Sequence, residues 1–169
     1  MPEITKKIDI ASSVSEVWDV LASFESISDW ANNVTHSCLL SDQLEGIGTC
    51  RRIQSGNSSV TEHVTRWEES RHLSYEIQGL PPVFKVVLNT WSLEPSEIGV
   101  QLLLTIEITP IRRLVTPIAG LACLAFGRIN ASMLKDLKGF IEDVSPLRKL
   151  EKQISLLEQK IEKLETRNE

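Results

Sequence analysis

The residues of this sequence best placed to do chemistry are a carboxylate, an arginine and an amide set among apolar neighbours. Glu62 lies in "VTEHV", where alternate residues of a strand share a face, so it points wherever Val60 and Val64 point. Asn130 falls on the apolar arc of a helical stretch, and Arg51 and Arg52 lie on the segment just before Glu62. A carboxylic acid in an apolar pocket has its pKa raised by desolvation and can act as a general acid. One held ionised by an arginine is instead a structural ion pair or a polar anchor for a ligand head group. The neighbouring arginines favour the second arrangement. Alternation alone does not say which of them faces Glu62, and Arg52 is taken here as the cavity residue.

Other chemistries lack a pattern. His36 ends a short strand, His63 faces away from Glu62 and His72 sits at a turn, so the three histidines do not converge. No Cys/His spacing suits zinc and no glycine loop suits phosphate, so neither metal nor cofactor is expected. Cys38, Cys50 and Cys123 are odd in number and widely spaced, which suits reduced thiols. With charges where a signal peptide needs its apolar run, "MPEITKKIDI" adds to the expectation of a cytoplasmic protein. A net charge of −5 gives no case for nucleic acid.

The elements that must position these residues are legible from periodicity. "EITKKIDI" alternates as a strand. A helix follows, with Ser13 and Glu16 as a capping box and Val14, Val17, Trp18 and Leu21 as its apolar face. A second short helix in "FESISDWA" is predicted with Ser26 as cap and Ile27 and Trp30 inward. Six strands then read over 34–40, 47–55, 58–67, 71–78, 83–94 and 99–109, joined by turn signals short enough for antiparallel hairpins. Leu73, Tyr75 and Ile77, like Val100, Leu102, Leu104, Ile106 and Ile108, make one face apolar, and something must cover it. The covering element is a helix from Pro117 to about Val144, capped by Thr116, ~40 Å long at 1.5 Å per residue. Its uncharged run, Leu114 to Gly127, is shorter than the ~20 apolar residues of a membrane span.

This order, with "IDIASSVSEVWDVLASFESISDWANNV", resembles the polyketide cyclase/dehydrase-like branch of the START/birch-pollen-allergen (SRPBCC) superfamily. The residues carrying the likeness are Ile8, Ile10, Val17, Trp18, Leu21, Phe24 and Trp30, then "GIGTCRR", "TEHVTRWEESRHLSYEIQG", "WSLEP" and "LKDLKGFIED". The resemblance spans about residues 3–144. It implies an α+β helix-grip fold: a curved antiparallel sheet of about seven strands around a long C-terminal helix, with two short helices after the first strand. It also implies a cavity for a hydrophobic ligand, but members of the superfamily include carriers, hormone or quinone binders and cyclases, and the fold does not choose among them.

On the long helix, Phe126, Ile129, Met133, Leu137, Phe140, Ile141 and Val144 share one arc, continued toward the N-terminus by Ala119, Ala122 and Cys123. Small side chains facing a concave sheet predict unfilled volume beside residues 119–126, closed by Phe126, Ile129 and Met133. The expected cavity set is Trp30, Arg52, Glu62, Val64, Tyr75, Ile77, Leu88, Trp91, Leu102, Leu104, Ala119, Ala122, Cys123, Phe126, Asn130 and Met133. The outward residues Leu121 and Leu124 mark a partner contact, a portal rim or the underside of a loop.

The end of the chain reads separately. Ser145 and Pro146 stop the helix, and Leu147, Leu150, Ile154, Leu157, Ile161 and Leu164 then step 3-4-3-4-3 as a heptad seam. The expected organisation is a ligand-binding domain, 1–145, and a coiled-coil-like tail, 146–169, that makes a homodimer, with fold-back on the domain as the alternative. The whole reads as a noncatalytic binder of a lipid-like, isoprenoid or polyketide-like molecule, open to transient membrane contact. Its rivals are a cyclase/dehydratase using Glu62 or Asn130 and a protein-interaction adaptor dimerised by its tail.

Overall fold

A computed structural model describes residues 1–144 and, beyond them, Leu147, Leu150, Gln153, Ile154 and Leu157. Strand β1 (Glu3–Ile10) is followed by helix α1 (Val14–Ala22) and a 3₁₀ segment (Phe24–Asp29). Six strands follow: β2 (His36–Leu39), β3 (Cys50–Ser55), β4 (Ser58–Glu68), β5 (His72–Gln78), β6 (Phe84–Ser96) and β7 (Gly99–Pro110). They form one seven-stranded antiparallel sheet in the order β1-β7-β6-β5-β4-β3-β2. Every hairpin is sequential, and β1 closes on β7 through pairs such as Ile8 with Leu102 and Ile10 with Val100. Helix α2 (Thr116–Gly139) lies against β1 and β7 and continues as a π-helical turn, Phe140–Val144. This is the α+β helix-grip architecture.

Alternation explains the sheet's one-sided burial. Val100, Leu102, Leu104, Ile106 and Ile108 are all fully buried, while Gln101, Leu103, Thr105 and Glu107 between them are half-buried. Each buried aliphatic side chain stabilises the fold by roughly 1.5–3 kcal/mol over an exposed one. Helix α2 answers with Ala119, Cys123, Gly127, Asn130, Met133, Leu134 and Leu137. Gly127 permits a close approach to β1: a Cβ there would stand 3.0 Å from Ile4 Cγ2.

The C-terminal end of α2 is tied to β1 and to the segment after the 3₁₀ turn. Lys138 Nζ donates to the Asp9 carbonyl at 2.6 Å, and Glu142 Oε1 accepts from the Ala11 backbone N–H at 2.8 Å. Asp136 accepts from both the backbone and the side chain of Asn32, at 3.1 and 2.8 Å. That bond pair fixes the segment carrying Asn33 and Val34 beside the helix.

Three local expectations need correction. Ser26 does not cap the 3₁₀ segment: Ser23 precedes its first residue and makes no side-chain cap bond. Thr116 is already helical, its hydroxyl donating to the Arg113 carbonyl at 2.7 Å, because a 3₁₀ turn (Arg113–Val115) leads directly into α2. Ile129 is 42% exposed rather than on the buried arc, while Leu134 takes a buried place there. Ser13 does cap α1, accepting from the Glu16 N–H at 3.2 Å, and the Glu16 carboxylate takes the Ser12 hydroxyl.

By length and composition alone, Arg113–Asp143 would pass for a membrane-crossing helix. Its packed face, with Asn130 and Gly127 against the sheet, is that of a gripped helix instead. In the tail, Leu147, Leu150, Ile154 and Leu157 are helical and exposed. The expected helix break at Ser145 and Pro146, and the seam positions Ile161 and Leu164, lie outside the described residues.

Candidate functional site

Antiparallel pairing of β3 with β4 sets Arg51 directly opposite Glu62. Glu62 Oε2 accepts from Arg51 Nε at 2.6 Å and stands 2.6 Å from Nη2, with both side chains 4% exposed. The remaining guanidinium nitrogen, Nη1, donates to the Phe24 carbonyl. The guanidinium carbon lies 3.7 Å from the centre of the Phe24 ring, so the cation also gains from the ring's face. Both bonds fall on Oε2, which leaves Oε1 as an acceptor toward the space that Glu62 lines.

Arg52 is not the cavity arginine. It is exposed, with Nε donating to Ser59 Oγ at 3.1 Å, because successive strand residues point to opposite faces and Arg51 has taken the inner one. His63 likewise turns away from Glu62 and meets Cys50 Sγ at 3.5 Å. Burial first, and the charge of Glu62 second, push the Cys50 thiol above its ordinary pKa, so this pair is no activated nucleophile.

A second polar cluster continues the wall. Asn130 Nδ2 donates to Asn89 Oδ1 at 3.1 Å, joining α2 to β6. The Tyr75 hydroxyl oxygen accepts from Trp91 Nε1 at 3.3 Å and from Asn89 Nδ2 at 3.5 Å. Burial, reinforced by the Glu62 charge, raises the Tyr75 phenol well above its ordinary pKa, so it stays a neutral donor. The Asn33 side-chain oxygen is buried with no hydrogen-bond partner among the described residues. A buried, unpaired acceptor is costly unless something meets it.

Five of these groups line a cavity of about 340 Å³, between the sheet, the 3₁₀–β2 segment and the middle of α2. Its polar wall is Glu62, Tyr75, Asn89, Asn130 and Asn33, and its apolar wall includes Val34, Ile53, Val60, Ile77, Leu80, Phe126 and Met133. Ser55, Ser58 and Ile129 line it and are exposed, so they mark its mouth.

Of the residues expected from the sequence, Glu62, Tyr75, Ile77, Phe126, Asn130 and Met133 lie on this cavity. Trp30, Val64, Trp91, Leu102 and Leu104 are buried in the packed core behind it, with Trp30 and Trp91 edge to face at 6.1 Å. Leu88 is half-buried on the other face of β6, since Trp91 and Asn89 turn inward and Leu88 has the opposite parity. Ala119, Ala122 and Cys123 hold no space open. Ala119 and Cys123 are buried against Val87, Ile106 and Ile108, with Ala122 packed beside them. Their small side chains let α2 descend onto the sheet, since an apolar void there would be costly. The cavity therefore sits one to two turns further along, at Phe126 to Met133.

Asn89 escaped the sequence reading, although it carries the signal that flagged Glu62: a polar residue in phase with buried Val87 and Trp91. Asn33 and Leu80 gave no such signal, because they lie in connections without a period, and Val34 opens the strand expected over 34–40 with no mark that sets it apart.

A family model described as polyketide cyclase / dehydrase and lipid transport matches residues 1–142. None of the curated proteins matches the sequence. Among solved structures, an uncharacterised Bacillus thuringiensis protein is similar with a TM-score of 0.67 at 19% identity, over 83% of this chain and 99% of that one. The ZhuI aromatase/cyclase of Streptomyces sp. R1128 is similar with a TM-score of 0.66 at 17% identity, over 83% of this chain and 93% of its own. The Aha1 dimer of Colwellia psychrerythraea gives 0.63 at 16% identity, over 85% and 98%. At such identities the likeness is one of fold.

Proposed function

Because the chain belongs to the polyketide cyclase/dehydrase and lipid-transport family, we propose that it is a noncatalytic binder of a small hydrophobic molecule carrying one neutral, hydroxyl-bearing end. The observation that carries this reading is the two-sided cavity of about 340 Å³, near the low end of the ~300–1,000 Å³ usual for small-molecule sites. The apolar wall takes the body of the ligand. The polar wall presents acceptors in Glu62 Oε1 and the Asn33 oxygen, which has no hydrogen-bond partner among the described residues, beside one donor, the Tyr75 hydroxyl. Such a wall favours a donor such as a hydroxyl and disfavours a carboxylate, whose charge would face Glu62. Arg51 offers no relief, since its guanidinium is spent on Glu62 and the Phe24 carbonyl. The ion pair also argues against Glu62 as a general acid, a role that needs a proton on the carboxyl group.

The test is binding of a medium-chain alcohol against the carboxylic acid of equal length, with native mass spectrometry of the purified chain to reveal retained ligand. The alcohol should bind more tightly. Equal or tighter binding of the acid would sink the polarity assignment, and no binding of either, with no retained ligand, would sink the carrier reading.

Three free thiols support a reducing, cytoplasmic setting. We further propose that the seam from Leu147 to Leu164 pairs two copies. The exposure of Leu147, Leu150, Ile154 and Leu157, at 62%, 56%, 47% and 57%, supports pairing over fold-back on the domain.

A further inference from the structure

Leu121 and Leu124 are covered by nothing among the described residues. They are 69% and 55% exposed, and Leu114 and Ile118 on the same approach are 91% and 54% exposed. On a helical wheel, Ile118, Leu121, Leu124 and Ala125 share the arc opposite Ala119, Cys123 and Gly127, which face the sheet. Four large apolar side chains in about three turns make a patch that a soluble monomer rarely leaves bare.

The charge around this patch is distinctive. From Ile108 to Lys135 the chain has four cations, Arg112, Arg113, Arg128 and Lys135, and no acid, within a protein of net charge −5. All four are exposed. Arg112 and Arg113 flank the patch where α2 begins, and Arg128 continues its arc one turn beyond Leu124. Apolar side chains bordered by arginines form the pattern that lies in a membrane interface, the apolar groups at the acyl boundary and the cations against anionic head groups.

The patch is also continuous with the cavity. Ile129, on the edge of the same arc and 42% exposed, is one of the residues at the cavity mouth. The tail seam is a poorer occupant. A tail folded back from Val144 would first run along Lys135, Ser132 and Arg128, polar residues that offer leucines Ile129 alone as an apolar neighbour before Leu124.

We propose that the N-terminal half of α2, with Arg112 and Arg113, docks on an anionic lipid bilayer and brings the cavity mouth to the membrane surface. The docking stands on the exposed face alone. Only its consequence for ligand exchange rests on the cavity reading.

The experiment is flotation of the full chain with vesicles of phosphatidylcholine, with and without phosphatidylglycerol, at low and high salt. Binding is expected to the phosphatidylglycerol vesicles, weakened by salt. Replacing Leu121 and Leu124 together by Glu should abolish it, and Arg112→Glu with Arg113→Glu should weaken it about tenfold or more. All four side chains are exposed, so circular dichroism should show the fold unchanged. No flotation, flotation indifferent to phosphatidylglycerol, or flotation unaffected by the leucine replacements would each overturn the proposal. So would a dimer that becomes a monomer on those replacements, because the face would then belong to a second copy. A Val60→Trp variant, crowding the cavity wall, should lose ligand uptake and keep flotation, so the docking and the cavity reading fail separately.

Discussion

Glu62 and Arg51 illustrate how far single residues can be read. The in-phase valines put Glu62 inside, and it is buried, but the same rule applied to two adjacent arginines left their choice open. The register decided it, by setting Arg51 rather than Arg52 across from Glu62. Removing one partner of a buried pair leaves the other charge uncompensated, at a cost of about 3–5 kcal/mol. Arg51→Met should therefore lower stability by that order in urea unfolding, and Arg51→Met with Glu62→Gln should recover much of it. A loss under about 1 kcal/mol for the single variant would mean that water reaches Glu62 after all.

At the scale of elements, the strand ends are held by contacts that local propensity does not describe. Gly99, which opens β7, has φ +147°, and a Cβ there would lie 2.5 Å from the Ile10 carbonyl oxygen and 2.6 Å from that of Ser12. Gly99→Ala should cost at least about 1–3 kcal/mol, measured by thermal or urea unfolding, since both strain and backbone overlap must be relieved. The C-terminal tie of α2 has a pH signature. The Ala11 N–H bond first, and Lys138 second, hold the Glu142 carboxyl below its ordinary value against a partial loss of hydration. A depressed carboxylate contributes stability that is present above its unfolded value of about 4.3 and is lost as pH falls through the folded value. The stability gap between the protein and Glu142→Gln should therefore be full at neutral pH and close in acid. A gap independent of pH would show that the carboxylate charge plays no part.

At the scale of the molecule, the described residues that enclose the cavity lie on the sheet, its connections and α2. Truncation after Val144 should leave the circular dichroism spectrum and ligand uptake unchanged while converting a dimer to a monomer in sedimentation. An unchanged mass would place the contact between copies elsewhere, with the exposed face of α2 the first place to look. The helix-grip order was legible from alternation, turn signals and one long amphipathic stretch, together with the resemblance they carry. The cavity's position was not: small residues on α2 suggested a void at Ala119 to Cys123, where the structure has close packing.

The sequence by itself determined which residues alternate inward, where the chain turns and that a single long helix must cover the sheet, because periodicity is a local property of the backbone. It also determined that Glu62 and Asn130 break the apolar pattern. Only the tertiary structure decided how deep α2 sits, which arginine meets Glu62, that Asn89 joins Asn130, and that Leu121 and Leu124 stay bare among the described residues. Each of these depends on the register of distant strands and the distance between helix and sheet. Both are set by packing of the whole chain rather than by any segment of it.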